Sequence, residues 1–171
     1  MLLSKGLELF LADREVSGYT HKTLSFYHDS AGGLVRFIHE SGGDVDVDIL
    51  SEWITPYFLA LQERDTSPTT RHTYYRGIKT FVRFLHSEGF IERPVSLPQI
   101  KCPETAIKPL SPNQMRHILR SFNIRSFTGL RNQTLLRLLF DSGLRLMEVS
   151  GISMSDMNPE DGFVLVMGKG Q

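Results

Sequence analysis

Asp141-Ser142-Gly143-Leu144-Arg145-Leu146-Met147-Glu148-Val149 decides how the C-terminal part of this 171-residue sequence is read. Ahead of it, Arg131 to Asp141 carries Leu135, Leu138 and Leu139 at helical spacing, so a helix arrives at Asp141. Gly143 stands where a helix C-terminal glycine belongs, because glycine enters the left-handed conformation without steric cost. A second helix is expected from Leu144 or Arg145. A helix N-terminus carries partial positive charge and favours an anion, which suits Glu148 but not Arg145. A cation set against that rule beside a sharp turn is a candidate functional residue. The alternative is a surface arginine paired with Glu148 three residues on.

Further along, a Ser155-Asp156 loop and an Asn158-Pro159-Glu160-Asp161-Gly162 turn lead into a β-rich run, Gly162 to Met167. Gly168-Lys169-Gly170 then places one lysine on a tight turn. This order of helix, turn, arginine, helix, Ser-Asp loop, strand and Gly-Lys-Gly resembles the tyrosine recombinases, the phage integrase and Xer-like family. Their catalytic domain carries Gly-Leu-Arg-x-x-Glu and, later, a Gly-Lys-Gly hairpin. Gly143-Leu144-Arg145-Leu146-Met147-Glu148 and Gly168-Lys169-Gly170 match, with arginine and lysine 24 positions apart.

The resemblance implies site-specific recombination or integration of DNA through a 3′-phosphotyrosine intermediate, without metal or cofactor. Arg145 would be a clamp arginine on the phosphate and Lys169 the hairpin lysine that protonates the leaving oxygen; both are implied to be catalytic. Gly143 and Glu148 would be structural, fixing the turn. The family's His-x-x-Arg, second His or Trp and nucleophilic Tyr come later in its pattern. All six histidines and all five tyrosines here precede Arg145, so none takes those roles. The 171 residues are therefore expected to be a fragment, truncated within the catalytic domain and inactive in strand cleavage.

Composition sets the bounds. Forty per cent hydrophobic and 22% charged residues are ordinary globular values. Cys102 is the only cysteine, which excludes an intrachain disulfide and suits a reducing compartment. No apolar run approaches the roughly 18 residues of a membrane span, and the N-terminus lacks a secretory pattern. The expected location is cytoplasmic, with no membrane partner. Net charge is zero, yet its distribution is uneven. Residues 1–59 hold four Lys and Arg against nine Asp and Glu; residues 60–145 hold 14 against six; residues 146–171 hold one against four. A basic middle between acidic ends is a plausible footprint for a polyanion, or an uneven solvated surface.

Taken in order, Leu3, Leu7, Phe10 and Leu11 predict a first helix ending near Gly18. Thr20 caps a second, with Leu24, Tyr27, Ala31, Leu34, Val35 and Ile38 as its apolar stripe and Gly42-Gly43 as its stop. Gly32 and Gly33 within it predict a kink or close packing. Asp44-Val45-Asp46-Val47-Asp48 lacks the glycine and distal glutamate of a calcium loop and reads as a turn with helix-capping aspartates. A third helix lies between Leu50 and Arg64, started or kinked by Thr55-Pro56, with Trp53, Tyr57, Phe58 and Leu61 in the core.

Ser67-Pro68-Thr69-Thr70 opens a fourth helix to about Glu88. Its Tyr74, Ile78, Phe81 and Leu85 oppose a stripe of His72, Arg76, Lys79, Arg83 and His86 that contains no acid. Such a stripe suits phosphate contact; plain solvation is the alternative. Four prolines from Pro94 to Pro109 read as an extended linker. Ser111-Pro112-Asn113-Gln114 reads as a capping box opening a helix with Met115, Ile118, Leu119 and Phe122 buried and Arg116, Arg120 and Arg125 free.

The Ser-Pro-x-Thr start and the Gly89-Phe90-Ile91 exit followed by Pro94 resemble the same family's core-binding domain. The resulting fold expectation is mainly α: a four-helix, SAM-like core-binding bundle over 1–101, a linker over 102–110, and a partial α+β catalytic domain over 111–171 ending in an incomplete β-hairpin. Expected DNA contacts are Thr23, Arg71, His72, Arg76, Lys79, Arg83 and Lys101. The expected partner is double-stranded DNA, gripped by a tetramer in the parent enzyme and by a monomer here. Two other readings remain: a non-catalytic DNA-binding regulator derived from an integrase, and a helical protein-interaction module.

Overall fold

A computed structural model describes residues 1–103 and 106–168. The chain divides into two compact units, Met1–Thr105 and Ala106–Gln171. Among the described residues no helix is long and apolar enough to cross a membrane.

The first unit contains α1 (Leu3–Val16), α2 (His21–Gly42), α3 (Leu50–Glu63) and α4 (Pro68–Ser87). Thr20 and Ser67 accept backbone N–H groups of Thr23 and Thr70, so the caps of α2 and α4 stand where the sequence puts them. Leu2 precedes α1 and offers no side-chain cap. Asp44 supplies it instead from the α2–α3 connection, accepting the Ser4 N–H at 3.1 Å and the Ser4 hydroxyl. Only one of the three aspartates caps the helical segment that follows: Asp46 accepts the Asp48 N–H at 3.1 Å, opening a short 3-10 turn at Val47–Ile49 that feeds α3. Pro56 lies inside α3 rather than in its first turn.

The apolar stripes close on one core. Phe10 is its centre, with ring centroids of Tyr27, Phe81 and Phe84 at 5.0, 5.3 and 5.4 Å. Leu34, Ile38, Leu50, Ile54, Ile78 and Leu85 complete it at 1% exposure or less. Fully burying a side chain of this size stabilises by roughly 1.5–3 kcal/mol. Trp53, expected in the core, is half-buried and packs edge-on to Phe37 at 6.3 Å. Of the paired glycines inside α2, Gly33 meets close packing, since a Cβ there would stand 2.7 Å from the Tyr57 hydroxyl, whereas one on Gly32 would make only ordinary contacts, 3.7 Å from Leu7. The tightest approach is between α2 and α4, where a Cβ on Gly77 would fall 1.9 Å from Oγ and 2.6 Å from Cβ of fully buried Ser30. The proline-rich segment is not a free linker throughout, since Val95, Leu97 and Ile100 pack against the core of this unit.

The second unit contains α5 (Pro112–Arg120), α6 (Phe127–Ser142), α7 (Leu146–Ser150) and a two-stranded antiparallel ribbon, β1 (Met157–Asn158) with β2 (Phe163–Val164). Ser111 and Gln114 form the expected capping box on α5. Of its expected buried face only Met115 is buried; Ile118, Leu119 and Phe122 are half-buried. α6 starts one turn earlier than its leucine spacing predicts, because Ser126 caps it by accepting the Gly129 N–H at 3.1 Å. Of the β-rich run, Phe163 and Val164 form the strand, and the Leu165 N–H adds one bond to the Asp156 carbonyl at 2.8 Å. The strand's partner precedes it, across the Asn158–Gly162 turn, with Met157 opposite Val164. The fold is mainly α with an incomplete hairpin, as expected.

Candidate nucleic-acid interface and phosphate clamp

α4 has no Asp or Glu anywhere from Pro68 to Ser87. Arg76 and Arg83 are exposed and Lys79 is half-buried, its Nζ 5.6 Å from the centre of the Tyr75 ring. None of the three forms an ion pair with a described residue. His72 stacks on Tyr75 at 6.0 Å, so His72, Tyr75 and Lys79 form one ladder along the helix. The geometry brings together Arg76, Lys79 and Arg83 as a cationic face on a rigid element.

Other expected contacts are arranged differently. Arg71 does not stand free: Nη1 donates to Gln62 Oε1 at 2.8 Å, tying the first turn of α4 to the last turn of α3, and its Nε is buried without a partner. Thr23 is half-buried and its hydroxyl lies 3.1 Å from that of Thr20, within the cap of α2. Lys101 is exposed on the extended segment. The Arg71–Gln62 bond was not legible in the sequence, because it joins two helices across the Asp65 turn.

In the second unit, Gly143 has φ 68°, the left-handed helix end that the sequence predicts. The chain then enters α7 with Arg145 as N-cap in extended conformation. The pairing of Arg145 with Glu148, three residues on, is present. Glu148 Oε2 accepts the Arg145 N–H at 2.8 Å, and Arg145 Nη1 donates to Glu148 Oε1 at 2.8 Å. The arginine's charge is thereby neutralised locally, which offsets its unfavourable place at a helix start. Glu148 is only 13% exposed, whereas Arg145 is 77% exposed and keeps donors directed at solvent. The Arg145 amide, then its guanidinium, hold the Glu148 carboxyl below its ordinary value.

Downstream, the Asp156 carboxylate accepts both the hydroxyl and the N–H of Ser153, which lowers its pKa and closes the turn Met154–Asp156. Glu148 and Asp156 share a cleft of about 350 Å³ with Met147, Leu165 and Met167. Lys169 lies outside the described residues. A guanidinium fork carried by a glycine-set turn and steadied by a half-buried carboxylate is suited to gripping two oxygens of one phosphate.

Tyr27 and Tyr57 belong to the core, and burial pushes the Tyr57 phenol up to about 12.

No family model matches the chain. Among known proteins it is similar to tyrosine recombinase XerD of Halalkalibacterium halodurans, 30% identical over 177 aligned positions that cover 98% of this chain and 58% of that protein. Tyrosine recombinase XerD of Vibrio cholerae is 28% identical, over 90% of this chain and 51% of its own length. Tyrosine recombinase XerC of Lactobacillus delbrueckii subsp. bulgaricus is 25% identical, over 89% and 52%. The chain thus spans about half the length of the curated relatives it matches. Several matches at 25–30% identity that each cover about nine tenths of the chain or more make it a relative of the tyrosine recombinase family.

Proposed function

We propose that this chain binds double-stranded DNA as part of a site-specific recombination system of the tyrosine recombinase type, acting in the cytoplasm. The first unit serves as the core-binding module, and the acid-free face of α4 is the observation that carries this reading. Arg76, Lys79 and Arg83 contact backbone phosphates, with His72 and Lys101 at the margins of the same interface. Arg71 and Thr23 act by fixing the first turns of α4 and α2, which hold the face in place. The second unit contributes the phosphate clamp. Arg145 presents two N–H groups to the nonbridging oxygens, where negative charge grows as the phosphodiester is attacked. Lys169 supplies the proton that the leaving 5′-oxygen takes up. Glu148 positions Arg145, and Gly143 sets the turn.

Transfer of the phosphoryl group requires a tyrosine phenolate. None of the five tyrosines is assigned that role, and the burial of Tyr27 and Tyr57 weighs against those two. The 171-residue chain therefore binds without cleaving. Four protomers act together on DNA in the full reaction, while this chain alone is a monomer.

The test of the interface is a salt titration. Changing Arg76, Lys79 and Arg83 together to Ala should weaken binding to a duplex and lower the log–log salt slope by about 0.9 per lost phosphate contact. An unchanged slope removes α4 from the interface. The non-cleaving assignment is tested with a nicked suicide duplex: no protein–DNA adduct should survive a denaturing gel, and a surviving adduct would overturn it.

A further inference from the structure

A cleft of about 260 Å³ lies between α4 and the Pro94–Leu97 segment. Its floor is apolar, made by Val82, Val95 and Leu97, with the Tyr75 ring beside them. Its rim is cationic, made by Lys79, Arg83 and His86. No carboxylate lines it. We propose that this cleft docks an acidic peptide segment of a partner protein, one bulky apolar side chain entering the floor and the flanking carboxylates meeting Lys79 and Arg83.

Charge complementarity and shape favour this occupant. A carboxylate between a lysine and an arginine makes charge-assisted hydrogen bonds, and the half-enclosed floor strengthens them by keeping water away. A duplex backbone offers phosphates to the rim but no projecting apolar group to the floor. Arg76, the third cation of the α4 face, does not line the cleft, so the cleft and the cationic face are distinguishable surfaces that overlap at two residues. The volume falls below the roughly 300–1,000 Å³ of sites that enclose small organic ligands, and fits one large side chain. Anchoring by a single apolar side chain amid a polar rim is how many interfaces concentrate their affinity. Since Lys79 and Arg83 serve both surfaces, the peptide and DNA compete.

The test uses the full chain and three fluorescein-labelled octapeptides: an acidic one with a central phenylalanine, the same with serine in its place, and a basic one with phenylalanine. Fluorescence anisotropy should show the acidic phenylalanine peptide binding at least about tenfold more tightly than either of the others, the scale expected from burying one such side chain. The uncharged, near-isosteric Val95→Thr and, separately, Leu97→Ala should each weaken that preference at least several-fold while leaving the circular dichroism spectrum and duplex affinity unchanged. Arg83→Glu should weaken both ligands. Equal binding of the serine peptide, insensitivity to both floor variants, or no binding of any peptide overturns the proposal. Arg76→Ala separates the two readings. It should weaken duplex binding and spare the peptide, so loss of the DNA reading alone leaves the cleft assignment standing.

Discussion

Phe10, Phe81, Leu34 and Ile78 of the first unit expose no surface at all, whereas Phe127, Met147 and Met154 of the second are 80%, 78% and 85% exposed. Eighteen hydrophobic residues form a single buried cluster in the first unit; among the described residues of the second, only Met115 and Val149 are buried. The two units nonetheless use the same local devices. Each opens two of its helices with serine or threonine caps, α2 and α4 in the first and α5 and α6 in the second, and places proline in the first turn of one, at Pro68 and Pro112. Capping and turn chemistry therefore specify where helices start and stop, and do so equally well with or without a core. What separates the units is long-range burial. Among the described residues only those of the first unit form layered apolar contacts, and tertiary packing is the main source of helix stability in proteins.

The largest expected effect follows from that difference. Phe81→Ala should destabilise the first unit by about 3–5 kcal/mol, read as an earlier urea midpoint at unchanged slope. Leu139→Ala in α6, which removes a half-buried side chain, should move unfolding far less. Equal shifts would dissolve the contrast. Next in size, Gly77→Ala should cost about 1–3 kcal/mol through overpacking against Ser30, despite alanine's higher helix propensity; a stabilised variant would mean that α2 and α4 separate easily. Third, native-state hydrogen exchange should place the amides of α5, α6 and α7 in a faster class than those of α2 and α4, and limited proteolysis should cut after residue 106 first. A single common exchange rate would make the two units one cooperative body.

The smallest effect concerns the Arg145 turn. The Glu148 carboxyl is held below its unfolded-state value, so its contribution is present above about pH 4 and fades as pH falls through the folded value. The α7 amides should broaden or shift on acidification, and Glu148→Gln should flatten that response. A variant that titrates like the parent would detach Glu148 from the turn.

The helical architecture was legible because it rests on short-range signals. Thr20, Ser67 and Ser111 announced their helices, Gly143 announced a left-handed stop, and the stripes of α2 and α4 caught most of the buried residues but missed Val82 and Phe84. The parts that escaped are long-range or depend on competition between partners. Asp44 caps α1 across about forty residues, which no local pattern reveals. Phe163 and Val164 pair backward to Met157 and Asn158 because the Asn158–Gly162 turn brings that segment nearest. At the candidate site, the acid-free face of α4 was readable from periodicity. The diversion of Arg71 to Gln62 was not, since it depends on how α3 meets α4. Arg145 and Glu148 were readable as a pair, but the exposure that leaves the guanidinium available became apparent only in three dimensions.

The meeting of Ser30 and Gly77 also constrains what this sequence can become. The two residues share one volume: an added carbon at 77 collides with the Cβ of Ser30 and not merely with its hydroxyl. Replacing Ser30 by alanine would therefore leave the obstruction in place, and only glycine at position 30 would clear it. A lineage that acquires a side chain at 77 must first lose the one at 30. The reverse order passes through a damaged ancestor, so the two positions are expected to drift together and in one direction of succession.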